Sequence, residues 1–182
     1  GDLQLDQVGA DPDHPGAPAL LTNKTMALNA RAVEKYNAGV RATDDTTKAA
    51  GLDAAKKDWT AAMEASTRAV KILKAAPAAT EAAAVTAAQR NLYFALLARA
   101  DAMRLYVPKV DQTKIEEGVT AFNEYIAVET DPAKKTKATS DFAQMLFDSN
   151  AFDKALLQYQ KILETNPDDL NALLRSGQAL FN

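Results

Sequence analysis

The feature that most constrains this chain is an apolar pattern at helical spacing that restarts with a period of about 34 residues. Between Phe142 and Phe181 the pattern describes one helical hairpin and the first half of another, and Gly177 repeats the position of Ala143. Apolar residues recurring at steps of three and four line one face of an α-helix. One such hairpin has too much apolar surface to leave exposed to water, yet too little to form a core of its own. It is therefore expected to stack against neighbours.

Upstream segments follow the same helical spacing. Three segments, starting at Trp59, Ile115 and Phe152, place apolar or small residues at offsets 0, 3, 4, 7, 10 and 11. The second of these six positions is small each time, as Ala62, Gly118 and Ala155. A small residue at a fixed position is what close crossing of two helices requires. The alanine-rich stretch over residues 49–102 also favours helix, because alanine loses no side-chain entropy there.

The last hairpin resembles the tetratricopeptide repeat (TPR) family. That family's pattern has a small residue midway along the first helix, and a bulky residue followed three positions later by alanine in the second. An aromatic residue comes four positions after the alanine, and a proline ends the unit. The matching residues are Ala143, Phe152, Ala155, Tyr159 and Pro167. The resemblance is strongest over Thr139–Asn182 and looser upstream, where insertions lengthen the spacing between second helices.

The resemblance implies an all-α fold, a TPR-like α-solenoid of antiparallel helical hairpins forming a right-handed superhelix. About 3.5 repeats, or seven helices, are expected. We predict an irregular lead-in over residues 1–21 and a single repeat domain over residues 22–182. The hairpins are expected at about residues 22–77, 80–131 and 133–166, with a final helix over residues 169–182. Thr22 and Asn23 are the expected N-caps of the first helix, and Gly39 is expected to let another helix approach closely.

Residue content argues against most catalytic chemistry. The chain has no cysteine and one histidine, so cysteine catalysis, histidine-based triads and the usual zinc sites cannot be assembled. His14 lies between prolines and aspartates in a segment that offers no rigidity for a metal site. Glu116 and Glu117 would point about 100° apart on a helix and would not converge on one substrate. We predict a non-enzymatic protein without a cofactor or metal.

The charge and hydropathy patterns indicate which classes of partner are not expected. Net charge is −3 with both signs interspersed, which does not favour nucleic acid as a partner. The basic run at residues 134–137 is interpreted as the solvated start of a helix rather than an anion site, and the sequon Asn23-Lys24-Thr25 as a chance match. No apolar run reaches the roughly 18 residues needed to cross a bilayer, so no membrane insertion is expected.

The ends of the chain carry two expectations. Gly1 in place of methionine, followed by a polar segment, suggests removal of a signal peptide. A bacterial periplasmic or other extracytoplasmic location is favoured on this ground, with a cytoplasmic one as the alternative. Phe181 is an unusual residue for an exposed capping helix, which raises the alternative that the native protein continues beyond Asn182.

The resemblance also implies a protein or peptide partner held on the concave surface formed by the first helices. In the family, the exposed positions lie three and two before the small residue and one after it. On this sequence those positions are Tyr36, Asn37, Val40, Ser140, Asp141, Gln144, Leu174, Arg175 and Gln178. The lysine–asparagine–arginine set with which some family members bind a chaperone's C-terminal carboxylate is not reproduced.

Two alternatives remain beside this scaffold or interaction module. The first is a structural role in which the chain self-associates as a homodimer, for example side by side through the alanine-rich hairpin. The second is a helical carrier of a small molecule or lipid, in which the helix over residues 80–107 forms one wall of a cavity. Partner identity and pathway are not predicted by any of these patterns.

Overall fold

The structure is a computed structural model that describes residue 14 and residues 16–78 and 80–181. Regular secondary structure in this part of the chain is helical, without a strand, which confirms the predicted all-α class and the seven helices. A short 3₁₀ turn, Gln112–Lys114, precedes the fourth helix. The helices are α1 (Ala17–Arg41), α2 (Asp45–Ala75), α3 (Ala82–Lys109), α4 (Ile115–Val128), α5 (Pro132–Asp148), α6 (Phe152–Thr165) and α7 (Leu170–Leu180).

By its internal contacts the chain divides into two compact units. The first ends at Ala102 and the second begins at Met103, within α3. In the first unit α1 packs along α2, and in the second α4 contacts α5, α5 contacts α6, and α6 contacts α7. The single domain predicted over residues 22–182 stays a prediction.

Helix α1 begins at Ala17, which corrects the prediction that residues 17–21 belong to an irregular lead-in. Pro18 lies in the first turn, where the missing N–H would have had no helical acceptor, so proline does not break the helix there. Thr22 is consequently not an N-cap, because it lies inside α1 and its hydroxyl donates to the Pro18 carbonyl at 2.8 Å. Asn23 is likewise inside α1. Residues 1–13 of the predicted lead-in lie outside the described residues.

Aspartates begin three of the later helices. The side chains of Asp44, Asp131 and Asp169 accept backbone N–H groups in the first turns of α2, α5 and α7. A carboxylate at this position satisfies N–H groups that have no partner inside the helix and interacts favourably with the helix dipole. These caps define where α2, α5 and α7 start.

Small residues mark the close helix crossings. A carbon added to Gly39 would lie 3.1 Å from the backbone N of Leu52, so α2 does approach α1 at this glycine, as predicted. A carbon added to Gly118 would lie 2.9 Å from the Met145 sulfur. The two alanines at the equivalent second-helix positions, Ala62 and Ala155, are fully buried. The small residues therefore lie where the chain has no room for a larger side chain.

Aromatic residues fill much of the second unit's core. Phe122 and Phe142 stack with ring centroids 5.1 Å apart, joining α4 to α5. Tyr159 on α6 is fully buried, as are Met145 and Leu146 on α5. This core fixes the positions of α5 and α6, and α7 packs next to α6.

Candidate peptide-binding surface

The first predicted set, Tyr36, Asn37 and Val40, lies near the C-terminal end of α1. Asn37 is exposed and Val40 is 52% exposed. Tyr36 is half-buried, and its ring centroid lies 5.5 Å from that of Trp59 on α2. Part of the Tyr36 side chain is therefore used in packing the α1–α2 hairpin, which leaves Asn37 and Val40 as the more accessible members of this set.

The second set, Ser140, Asp141 and Gln144, lies on α5, and all three residues are half-buried. The Asp141 carboxylate forms an ion pair with Lys137 one turn earlier. The Gln144 amide donates to the Asp148 carboxylate at 2.7 Å. Both polar side chains are thus oriented along the helix surface by partners on their own helix.

The third set, Leu174, Arg175 and Gln178, lies on α7. Leu174 is 61% exposed, Gln178 is exposed, and Arg175 is half-buried. The Arg175 guanidinium carbon lies 4.9 Å from the centroid of the Phe147 ring on α5. A cation over an aromatic face is attracted by the negative charge of the ring face. This contact fixes the arginine between α7 and α5.

The second and third sets meet around the buried hydroxyl of Tyr159. That hydroxyl donates to the Gln144 amide oxygen at 3.4 Å. Burial raises the pKa of Tyr159 to about 12, while the positive charge of Arg175 opposes this rise and the negative charge of Asp148 adds to it. The structure therefore brings Gln144 and Arg175 to one place. We call Gln144, Asp148, Tyr159 and Arg175, with the Phe147 ring, the α5–α7 cluster.

Arg175 is the cation of this cluster, and it has no carboxylate partner among the described residues. One of its terminal nitrogens donates to the Gln178 side-chain oxygen at 3.1 Å. Its Nε is buried and has no hydrogen-bond partner, and no carboxylate of the described residues forms an ion pair with it. The buried Nε is closed to solvent, but a half-buried guanidinium without a carboxylate partner is stabilised by an anionic group that reaches its terminal nitrogens. The α5–α7 cluster therefore offers a binding position for an acceptor from outside the chain.

Sequence reasoning missed part of this cluster. The apolar pattern places Phe147 on a buried face, Asp148 in a break between helices, and Tyr159 in packing alone. Their convergence depends on how α5, α6 and α7 cross, since Gln144 and Tyr159 lie 15 residues apart. Periodicity along one helix contains no information about that crossing. The Tyr36 set belongs to the first unit and the other two sets to the second.

Two cavities lie elsewhere in the described structure. One of about 990 Å³ in the first unit is lined by the start of α1 and by α2 and the residues after it, including Pro18, Met63, Ile72 and Lys71. The described lining contains no residue of α3, the helix expected to wall a carrier cavity. Another of about 380 Å³ lies among α4, α5 and α6. None of the nine predicted binding residues lines either cavity.

Neither a metal-binding cluster nor a membrane-spanning helix is present among the described residues. No group of three or more histidine or acidic side chains there is arranged to hold a metal ion. No described helix has both the length and the apolar character needed to cross a membrane.

Comparison of the chain with protein-family models, with curated proteins and with solved structures found no match. The TPR resemblance therefore depends on the residues and spacings of this sequence alone.

Proposed function

We propose that this chain is a non-catalytic protein–protein interaction module that binds a peptide segment of a partner. In this proposal the helices form a TPR-like right-handed superhelix, and the first helices of its hairpins line the binding groove. Three observations support it: the repetition of the hairpin pattern along the sequence, the consecutive packing of α5, α6 and α7, and the meeting of the predicted α5 and α7 sets in one cluster.

The observation that carries the proposal is the Arg175 guanidinium. It is held on the Phe147 ring, it donates to Gln178, and no carboxylate of the described residues forms an ion pair with it. An arginine held in place by an aromatic ring loses little further side-chain freedom when it binds an acceptor. A charge-assisted hydrogen bond formed there contributes about 1.5–3 kcal/mol.

The surroundings of Arg175 indicate the kind of peptide. A carboxylate of an aspartate or glutamate side chain would complement the guanidinium. Leu174, 61% exposed and one residue away, offers contact to an apolar side chain next to that carboxylate. Exposed Gln178 offers an amide to a peptide backbone. An extended segment with an acidic residue beside an apolar one fits these three positions.

Panning a random linear-peptide library against the purified chain tests this proposal. Enriched peptides are expected to share an acidic residue next to an apolar one. Their affinity, measured by fluorescence anisotropy, is expected to fall about tenfold or more on Arg175→Ala, because tenfold corresponds to the loss of about 1.4 kcal/mol.

Arg90→Ala is the matched control, because Arg90 is an exposed arginine of α3 outside the α5–α7 cluster. That variant is expected to bind the selected peptides as the wild type does. Circular dichroism establishes that both variants remain folded. Failure to enrich any sequence, or equal affinity of the wild type and Arg175→Ala, would contradict the proposal.

A second candidate function, carriage of a small molecule, is favoured by the cavity of about 990 Å³ in the first unit. Its lining combines the apolar side chains of Met63 and Ile72 with the cationic Lys71, a combination suited to an amphiphilic anion such as a fatty acid. Native mass spectrometry of the purified chain is expected to show a retained ligand if this function holds. An unliganded chain that takes up no fatty acid would argue against it.

A further inference from the structure

The cavity of about 380 Å³ among α4, α5 and α6 has a lining that combines cations with apolar side chains. It lies inside the second unit. The cations are Lys135 on α5 and Lys161 on α6, and no aspartate or glutamate is among the described lining residues. The apolar lining residues are Ile126, Pro132 and Ile162. The remaining lining residues are polar and uncharged: Asn123, Thr136, Thr139, Gln158 and Thr165.

Neither cation of this cavity is neutralised by a carboxylate of the described residues. The Lys161 Nζ donates to the Gln158 side-chain oxygen at 3.2 Å, which is an uncharged acceptor. The Lys135 side chain forms no hydrogen bond or ion pair within the described part of the chain. By contrast, Lys137, in the same basic run, is paired with Asp141. Two like charges lining one space repel each other, and an anion placed between them relieves this repulsion.

The threonines of the cavity have already used their hydroxyl protons. The hydroxyl of Thr136 donates to a backbone carbonyl of α5 at 3.0 Å, and that of Thr139 does so at 2.9 Å. The Thr165 hydroxyl donates to a backbone carbonyl of α6 at 2.9 Å. A hydroxyl that has donated its proton can only accept. The donors left for a ligand are therefore the two lysine ammonium groups and the side-chain amides of Asn123 and Gln158.

We infer that this cavity binds a small aryl carboxylate, with the carboxylate at Lys135 and Lys161 and the ring against Ile126 and Ile162. A carboxylate has two acceptor oxygens, one for each lysine. A cavity of about 380 Å³ is near the lower end of the range of about 300–1,000 Å³ for ligand sites, which favours a compact ring over a long chain. A rigid ring also loses little conformational freedom on binding. The inference does not depend on peptide binding, because no residue of the α5–α7 cluster is among the described lining residues.

Titration of the chain with 3-phenylpropionate tests this inference, and the uncharged 3-phenylpropionamide is the matched control ligand. Binding is followed by nuclear magnetic resonance through the side-chain amide signals of Asn123 and Gln158, which line the cavity. The acid is expected to shift both signals and to bind about tenfold or more tightly than the amide, because hydrogen bonds from ammonium groups to a carboxylate are stronger than those to a neutral acceptor. Equal affinity for the two compounds, or no shift of these signals, would overturn the inference.

Substitution of the two lysines tests the position of the carboxylate. Lys135→Gln and Lys161→Gln are each expected to lower the affinity for the acid about three- to fivefold, as the loss of one partly solvated ion pair does. The affinity for the amide is expected to stay unchanged. Both lysines are exposed, so these substitutions remove no buried packing. Lys134→Gln, at an exposed position of the same basic run outside the described lining, is expected to bind the acid as the wild type does. An equal loss in Lys134→Gln would contradict a specific site.

Two further measurements test the ring and the choice of cavity. Acetate, which has the carboxylate without the ring, is expected to bind about tenfold or more weakly than 3-phenylpropionate, because it buries little apolar surface. Lys71→Gln, which removes a cation of the larger cavity in the first unit, is expected to leave the affinity for 3-phenylpropionate unchanged. Equal affinity for acetate would show attraction by charge alone, and a loss in Lys71→Gln would place the binding in the first unit. Either result would overturn the inference.

Discussion

A side-chain carbon on Gly51 would lie 2.8 Å from the Cα of Gly39, so α1 and α2 cross there with their backbones in contact. Alanine at position 51 would favour helix on its own, yet it would force two backbones apart. We expect Gly51→Ala to lower the free energy of unfolding by about 1–3 kcal/mol, as overpacking of a close contact does. Urea unfolding followed by circular dichroism measures the change.

Gly177→Ala is the matched control for that substitution. Gly177 also lies inside a helix, but a carbon added there meets nothing within 4 Å. The same change is therefore expected to raise stability by about 0.5–1 kcal/mol, the difference between alanine and glycine in a helix. Equal effects at the two positions would show that the α1–α2 crossing has room for a side chain.

Asp58 joins α2 to α1 through two cations. Its carboxylate accepts from Arg31 and from Lys35, each at 2.7 Å, and it is 6% exposed. Asp58→Ala is expected to lower the free energy of unfolding by about 1–2 kcal/mol, because both cations are partly solvated and can turn to water. Asp53→Ala, on the exposed side of the same helix, is expected to change it by less than about 0.5 kcal/mol. Similar values for the two would contradict a structural role for this ion pair.

Stability is also expected to depend on pH through Asp58. The hydrogen bond from Arg31 is the main cause that holds the pKa of Asp58 below its ordinary value of 3.8, although burial acts in the opposite direction. A lowered folded-state pKa gives stability that is present above 3.8 and is lost as pH falls through the folded value. The difference in stability between wild type and Asp58→Asn is therefore expected to shrink below pH 3.8. A stability difference between wild type and Asp58→Asn that stays constant with pH would contradict the assignment of this pH dependence to Asp58.

Sequence periodicity predicts the helices well because the residues that define them act locally. The steps of three and four from Phe152 to Leu163 describe the buried face of α6, and the close approach predicted at Gly39 is present. The predicted start of α1 is wrong because that prediction treats Pro18 as a helix breaker. A proline in the first turn removes no helical hydrogen bond, so the sequence around it is compatible with helix or loop.

The candidate site is less accessible to sequence reasoning. The resemblance names Gln144 and Arg175 separately, but their meeting around Tyr159 depends on the packing of three helices. The use of Tyr36 in contact with Trp59 also depends on tertiary packing. Helical spacing identifies which residues share a face, whereas the angle between two helices is set by side-chain packing along the whole contact.

Glu129 links the end of α4 to the start of α5. The carboxylate is buried, and it accepts from the Tyr125 hydroxyl and from the Asp131 backbone N–H, both at 2.8 Å. Glu129→Ala is expected to lower the free energy of unfolding by about 2–3 kcal/mol, because the buried Tyr125 hydroxyl and the part-buried Asp131 N–H both lose a charged acceptor. A double-mutant cycle with Tyr125→Phe is expected to show a coupling of about 1 kcal/mol.

Thr130→Ala serves as the control for Glu129, since Thr130 is the exposed neighbouring residue of the same connection. Its effect is expected to be within about 0.5 kcal/mol. Strict additivity of Glu129→Ala and Tyr125→Phe would show that the tyrosine hydroxyl does not contribute through this carboxylate.

Because of the buried Tyr159 hydroxyl, the free energy of unfolding is expected to fall at alkaline pH. Burial raises the pKa of its hydroxyl from 10.0 to about 12, so the folded chain holds this proton more tightly than the unfolded chain does. The sign follows from linkage: the contribution is fully present below pH 10 and declines as pH rises from 10 towards 12. In Tyr159→Phe this decline is expected to be absent, so the stability of the wild type should fall relative to that of Tyr159→Phe as the pH approaches 12. Urea unfolding at a series of alkaline pH values measures the effect, and Tyr93→Phe, a half-buried tyrosine of α3, is the control. A parallel decline of wild type and Tyr159→Phe would show that ionisation of this hydroxyl is not what unfolds the second unit.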